Sequence, residues 1–151
     1  MGEKIDYLIR IRIFQMKRMG FTVDRFKYKE ENDLSYTIIG AIYDVYNNLG
    51  PGLLESVYES ALTYELTKKG MRVDRQVEIP ILYDGIKMES NLRLDMLVED
   101  LVIVELKCVL EMKDFFYLQI DTYLKLTGKH LGILVNFNTD DIVHSIYRRV
   151  K

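Results

Sequence analysis

Apolar side chains recur every three or four residues from about Leu34 onward, which is the spacing of one face of a helix. The first stripe comprises Ile38, Ile42, Val45 and Leu49, and the second comprises Leu54, Val57, Ala61, Leu62 and Leu66. The sequence Gly50-Pro51-Gly52 separates them, and glycine and proline end helices. The pattern therefore predicts two consecutive helices, the second of which stops at Gly70.

Beyond Gly70 the apolar period changes to two, which is the spacing of a β-strand. The predicted strands are one from Val73 to the Tyr83-Asp84-Gly85 turn, then Asn91–Val98 and Leu101–Cys108, and finally Leu131–Phe137 and His144–Val150. A third helix is predicted over about Met112–Thr127, before the last two strands. The order ααβββ(β)αββ predicts an α/β (α+β) fold in which helices flank a mixed sheet.

Length and composition fit one intracellular domain. The chain has 151 residues, of which 48% are hydrophobic and 29% are charged, enough for a substantial core. The single cysteine, Cys108, excludes an internal disulfide, and no apolar run is long enough for a membrane span or a signal peptide. We therefore expect a cytoplasmic protein with no membrane partner.

The first thirty residues are basic. They hold eight Lys and Arg against four Asp and Glu, which gives them a net charge of +4. Because the whole chain has a net charge of −2, the remaining residues carry about −6. We interpret residues 1–33 as a basic N-terminal extension of a domain over residues 34–151. The basic side chains would suit contacts with phosphates, but their alternation with apolar residues equally fits an extra amphipathic element or a tail.

Charged side chains interrupt two of the most hydrophobic predicted strands. Strict alternation places Asp95 on one face and puts the apolar residues on the other, namely Leu92, Leu94, Met96 and Val98. In the next strand Glu105 and Lys107 project together, and Cys108 faces the apolar side as an inert thiol. Because a buried carboxylate without a partner is unfavourable, we expect ion pairs or a metal ion here.

The length of the loop between these strands decides whether the two carboxylates meet. A two-residue loop at Glu99-Asp100 would place Asp95 opposite Val104, whereas a three-residue loop over Glu99–Leu101 would place it opposite Glu105. We predict the three-residue loop or an equivalent bulge. The two Cβ atoms would then lie about 5 Å apart, which suits a hard divalent cation.

These residues resemble a known family. Asp95, nine intervening residues and Glu105-Leu106-Lys107 are similar to the motif of the PD-(D/E)XK nuclease superfamily, whose restriction-endonuclease-like core is a mixed sheet flanked by helices. Gly52-Leu53-Leu54-Glu55-Ser56-Val57-Tyr58 resembles the GxxExxY motif, which names a branch of that superfamily. The likeness spans roughly residues 34–150. It departs at Leu94, which stands where the motif has proline.

The resemblance implies a catalytic set, and its members are Glu55, Asp95, Glu105, Lys107 and Gln119. Asp95 and Glu105 would bind Mg²⁺, or Mn²⁺ as a substitute, and Glu55 would add a carboxylate directly or through water. Lys107 would position or help to deprotonate the attacking water, and Gln119 would be the polar helix residue near the site. The supporting residues would be Arg93, Tyr58 and Tyr123, the last one turn beyond Gln119 on the same helix face.

Structural interpretations of these residues remain open. Glu55 would complement a helix dipole without any catalytic role, and the two tyrosines suit core aromatics. Arg93 or Lys107 would pair with the strand carboxylates.

Two functions therefore stay open. One is a Mg²⁺-dependent phosphodiester hydrolase acting on DNA or RNA, with DNA favoured. The other is a non-catalytic module of the same fold that binds nucleic acid or a protein partner. The sequence leaves the oligomeric state open; a homodimer, the commonest assembly, would let one small domain reach both strands of a duplex.

Overall fold

The computed structural model describes residues 29–151, which form three helices and a five-stranded sheet. The helices are α1 (Lys29–Leu49), α2 (Glu55–Lys68) and α3 (Asp114–Thr127). The strands are β1 (Val73–Tyr83), β2 (Ile86–Val98), β3 (Val102–Lys107), β4 (Leu131–Asn136) and β5 (Ile146–Val150), with a short 3-10 helix at Ile142–His144 before β5. The predicted succession of helices and strands is confirmed, without the optional strand before α3.

The sheet is mixed, as predicted. Its spatial order is β1-β2-β3-β4-β5, which is also the order along the chain. Strands β3 and β4 are parallel and the other neighbouring pairs are antiparallel. Parallel neighbours need a crossover connection, and α3 supplies it. All six residues of β4 are buried, which explains their nearly continuous apolar sequence.

Two apolar clusters hold the helices on opposite faces of the sheet. The larger cluster joins α1 and α2 to the sheet, and its fully buried members include Ile38, Ile42, Tyr58, Leu62, Met96, Val104, Leu106, Ile133 and Phe137. The smaller cluster joins α3 to the other face and comprises Leu94, Leu97, Ile103, Tyr123 and Leu124. The result is a three-layer arrangement with the sheet in the middle.

Helix α1 begins earlier than predicted. It starts at Lys29 rather than near Leu34, and Glu30 and Glu31 in its first turn complement the helix dipole. The last residues of the predicted 1–33 extension therefore continue into α1. Residues 1–28 lie outside the described part of the chain, so the basic extension stays a prediction. Within residues 29–151, none of the helices is both long and apolar enough to cross a membrane.

Helix α3 lies close to the sheet at Gly132 in β4. A Cβ atom at this position would lie 2.7 Å from Cδ1 and 3.0 Å from Cγ1 of Ile120, which is fully buried. These distances are shorter than ordinary van der Waals contacts. The absence of a side chain at Gly132 therefore sets how closely the layer containing α3 packs on the sheet.

Candidate active site

The loop between β2 and β3 fixes the register of the two strands. Glu99 and Asp100 both have positive φ angles, of 52° and 55°, and the amide of Leu101 donates to the carbonyl of Val98 at 3.0 Å. Strand pairing begins at Val98 and Val102, so Leu101 is an extra residue beyond the turn. The three-residue loop predicted from the sequence is confirmed. Continuing this register brings the side chains at positions 95 and 105 opposite each other.

Asp95 and Glu105 interrupt the β-ladder with their own side chains. Regular pairing ends at Met96 and Val104. At the next position the amide of Asp95 donates to Oε1 of Glu105 at 3.0 Å, and the amide of Leu106 donates to Oδ2 of Asp95 at 2.8 Å. Each carboxyl group thus binds the backbone of the opposite strand. The exchange holds the two side chains together where the strands part.

Burial favours the protonated form of this carboxyl pair. Glu105 is only 2% exposed, and burial followed by the charge of Asp95 raises the pKa of Glu105 to about 9. Burial also raises the pKa of Asp95, although the Leu106 amide and the charge of Lys107 oppose that shift. Two carboxylates this close do not readily ionise together without a cation. The pair therefore holds a proton at neutral pH in the absence of metal.

Lys107, Gln119 and Tyr123 form a hydrogen-bonded chain beside the carboxyl pair. Nζ of Lys107 donates to Oε1 of Gln119 at 3.0 Å, and Nε2 of Gln119 donates to the hydroxyl of Tyr123 at 3.0 Å. The ammonium group also lies 5.0 Å from the centre of the Phe116 ring. Burial, then the charge of Glu105, raises the pKa of Tyr123. Helix α3 therefore holds the lysine in a fixed position near the carboxyl groups.

The ion pairs considered in the sequence analysis do not form. Arg93 pairs instead with Glu78 of β1, at 3.2 Å, and both side chains are more than half exposed. Arg93 is therefore not brought into the cluster, because it turns toward the neighbouring strand. Within residues 29–151 no ion pair shorter than 4 Å joins Lys107 to Asp95 or Glu105. The cluster is thus not a closed salt bridge.

Glu55 is the first residue of α2 and lies on the rim of the site. The loss of surrounding water raises its pKa, and the charge of Asp95 raises it further while Lys107 lowers it. The charges of Asp95 and Lys107 thus act on the Glu55 carboxyl. Its position in the first turn also complements the helix dipole, so the structural interpretation holds beside the functional one.

Tyr58 holds the loop that precedes Glu55. Its hydroxyl donates to the carbonyl of Gly50 at 2.6 Å and accepts from the amide of Leu53 at 3.2 Å. Its ring stacks on Phe137 with the centroids 4.4 Å apart. Tyr58 is fully buried and is a core aromatic that fixes the start of α2, as the structural interpretation proposed.

Comparison with known proteins identifies the family. A profile of the PD-(D/E)XK nuclease superfamily matches residues 32–150. The chain belongs to this superfamily. Its branch, suggested by the GxxExxY motif, stays a prediction.

A solved structure shares the fold of this chain. The crystal structure of SSO0001 aligns with a TM-score of 0.50 and 18% sequence identity, over 97% of this chain and 77% of that chain. At this identity the likeness supports the fold alone. No curated protein matches the sequence. The three helices and mixed sheet are consistent with the restriction-endonuclease-like fold of the superfamily.

One prediction about the strands of this nuclease-like domain is wrong. Alternation placed Leu92 and Leu94 on the same face as Met96, but both pack with Leu97 in the cluster against α3, while Met96 packs against α1 and α2. The alternation therefore breaks between Leu94 and Met96. Gln76, which lies opposite the break in β1, has a positive φ angle of 51°.

Glu59 belongs to the surroundings of the site and was missed from sequence. It is 6% exposed and accepts hydrogen bonds from Arg75 Nε at 2.7 Å and from Gln76 Nε2 at 2.8 Å. Its charge raises the pKa of both Glu55 and Asp95. The available signal was its spacing, because residues four apart share a helix face and Glu55 precedes it by four.

Asn136 at the end of β4 is a second missed residue. It is 5% exposed, its Nδ2 donates to the carbonyl of Val109 at 2.9 Å, and its Oδ1 accepts from the amide of Val109 at 3.1 Å. The amide of Phe137 donates to the carbonyl of Lys107 at 2.9 Å. These bonds extend the β3–β4 pairing past its end and fix the chain that carries Lys107. The signal available in the sequence was a single side-chain amide, that of Asn136, at the end of an otherwise apolar strand.

Proposed function

We propose that this chain is a divalent-metal-dependent phosphodiester hydrolase acting on nucleic acid. The observation that carries the proposal is the pair Asp95 and Glu105, with Lys107 beside it. Hydrogen bonds hold the pair together at the point where the regular pairing of β2 and β3 ends. Membership in the PD-(D/E)XK nuclease superfamily supports a nuclease-like activity. The natural ion in this proposal is Mg²⁺, with Mn²⁺ as a substitute.

The donor set fits magnesium. Among the described residues no group of three or more His, Cys, Asp and Glu side chains is arranged to hold a metal ion. Magnesium does not require such a cage, because it usually keeps several waters and binds through one or two carboxylates and substrate phosphates. Asp95 and Glu105 would be the two carboxylates, and Glu55 at the rim would act through water.

The remaining residues would control the attacking water and the phosphate. A bound Mg²⁺ would neutralise a phosphate oxygen and lower the pKa of a bound water. Nζ of Lys107 donates to Gln119, and the ammonium group carries two further donors that would orient the water or a phosphate oxygen. Tyr123 fixes the amide of Gln119 and so keeps the ammonium group in place.

The proposal extends to the substrate, the assembly and the location. DNA is the proposed substrate rather than RNA, and the protein would act in the cytoplasm. A homodimer with two-fold symmetry would place one active site on each strand of a duplex. The charge of about −6 outside the first thirty residues gives phosphates little general attraction. Binding would thus depend mainly on contacts at the metal site and on the basic N-terminal residues.

Calorimetric titration with Mn²⁺ and Mg²⁺ tests the proposal, together with cleavage of plasmid DNA, single-stranded DNA and RNA. Wild-type protein is expected to bind metal and to cut DNA, and Asp95→Ala is expected to lose both properties. Glu78→Ala is the matched control, since it removes an exposed β1 carboxylate outside the cluster. Absence of metal binding in the wild type would overturn the proposal, and retained nucleic-acid binding in that case would favour the non-catalytic module.

A further inference from the structure

We propose that Gln76 and Glu59 are positioning residues, which hold β1 and β2 in the conformation that lets Asp95 and Glu105 exchange hydrogen bonds with the opposite backbone. Neither residue is proposed to touch metal or substrate. The inference rests on the proposed function, because it concerns the same proposed metal site. It is nevertheless testable without activity, because it predicts a specific backbone hydrogen bond.

The backbone of Gln76 is strained. Its φ angle of 51° is in the left-handed region, which disfavours residues that carry a Cβ atom. The strain lies directly beside the site, because Arg75 pairs with Met96 and Val77 pairs with Leu94, which leaves Gln76 opposite Asp95. Conformations of this kind persist only where the surrounding structure enforces them.

The side chain of Gln76 supplies that enforcement. Its Nε2 donates to Oε2 of Glu59 at 2.8 Å, and Arg75 Nε donates to Oε1 of the same carboxylate at 2.7 Å. Glu59 is 6% exposed and belongs to α2, so both of its oxygens tie consecutive residues of β1 to the helix. Hydrogen bonds to a buried carboxylate are stronger than neutral ones. We call this set, Glu59, Arg75 and Gln76, the β1 clasp.

The consequence of the β1 clasp appears in β2. The side-chain alternation breaks between Leu94 and Met96, at the residue opposite Gln76. There the amide of Asp95 leaves the ladder for Glu105, and its carboxylate accepts from the amide of Leu106. If Gln76 relaxed into ordinary strand geometry, β2 would regain regular alternation. Asp95 would still face Glu105, as regular alternation and the three-residue loop require, but its amide would return to the ladder and its carboxylate would lose the bond from the amide of Leu106.

Three variants test the inference. Gln76→Ala removes the clasp and disfavours the left-handed backbone, whereas Gln76→Gly removes the clasp but adopts positive φ freely. Asp84→Ala is the matched control, since Asp84 has the same φ of 51° at the far end of the same hairpin. The readouts are Mn²⁺ affinity by calorimetry, the thermal midpoint, and the exchange rate of the Leu106 amide by NMR.

We expect Gln76→Ala to weaken Mn²⁺ binding about 10- to 100-fold, the range typical of residues that orient metal ligands. The Leu106 amide should exchange at least about tenfold faster, relative to the amide of Val104 in the same strand, because Asp95 no longer holds it. Gln76→Gly should recover most of both losses. Asp84→Ala should lower the thermal midpoint without changing either quantity. Equal effects of Gln76→Ala and Asp84→Ala on affinity and exchange would overturn the inference.

Glu59→Gln keeps the test decisive if Gln76→Ala does not fold. It preserves the shape of the side chain but removes the charge that strengthens both bonds. It is expected to change Mn²⁺ affinity and Leu106 exchange in the same direction as Gln76→Ala. Should the wild type bind no Mn²⁺, the proposed function fails. Leu106 exchange then decides the inference alone, and unchanged exchange in Glu59→Gln refutes it.

Discussion

At the residue scale the site is a buried acid pair whose charge state depends on what is bound. Glu105 is almost completely buried and lies beside Asp95, so ionisation of both requires a nearby positive charge. Lys107 lowers the pKa of both residues, but its ammonium group is bound to Gln119. The metal-free pair is therefore a source of instability at high pH.

Replacing Glu105 with Gln should make the stability of the metal-free protein less dependent on pH. Folding raises the pKa of Glu105 from 4.5 to about 9, so its contribution to stability is fully present below pH 4.5 and is lost as the pH rises through about 9. Thermal midpoints in a chelator should therefore fall from pH 5 to pH 9 more steeply in wild type than in Glu105→Gln. Glu78→Gln is the exposed control, and parallel curves for all three proteins would contradict the assignment.

The sequence predicts the acid pair but not its surroundings. Asp95, Glu105 and Lys107 were predictable because strand alternation and loop parity follow from residue spacing alone. Glu59 was not, because a glutamate inside an amphipathic helix normally faces solvent, and its burial depends on partners in β1. The partner of Arg93 was unpredictable for a similar reason, since it depends on how β1 aligns with β2.

At the element scale the helices and strands follow their apolar periods, and the exceptions have local causes. The bounds of α2 and α3 agree closely with the stop signals at Gly70 and Gly128. The break of alternation in β2 was hidden because it requires a left-handed glutamine in the neighbouring strand, which no sequence rule indicates. Propensity thus predicts the elements, and tertiary hydrogen bonds decide where they bend.

Two glycine substitutions should have opposite effects on stability. Gly132→Ala places a methyl group 2.7 Å from the buried side chain of Ile120 and should destabilise the protein by about 1–3 kcal/mol through overpacking. Gly40→Ala in α1 meets no atom within 4 Å and should stabilise it by about 0.5–1 kcal/mol, because alanine favours the helix. Urea unfolding measures both changes. A Gly132→Ala protein as stable as the wild type would contradict the close approach of α3.

At the scale of the whole molecule, metal binding and stability should be linked. Ligands that bind only the folded state stabilise it, by about 2.7 kcal/mol at a free concentration one hundred times the dissociation constant. We expect Mn²⁺ to raise the thermal midpoint of the wild type but not that of Asp95→Ala. Potassium chloride at equal ionic strength serves as the control for general screening. Equal shifts in both proteins would show that the stabilisation arises elsewhere.

The odd length of the loop over Glu99–Leu101 also limits how this hairpin can evolve. Inserting or deleting one residue would turn β3 over, so that Glu105 and Lys107 exchange sides with Val104 and Leu106, and two charges would enter the larger apolar cluster. Changes of two residues preserve the orientation. Related chains that keep the acid pair should therefore differ in the length of this hairpin only by even numbers.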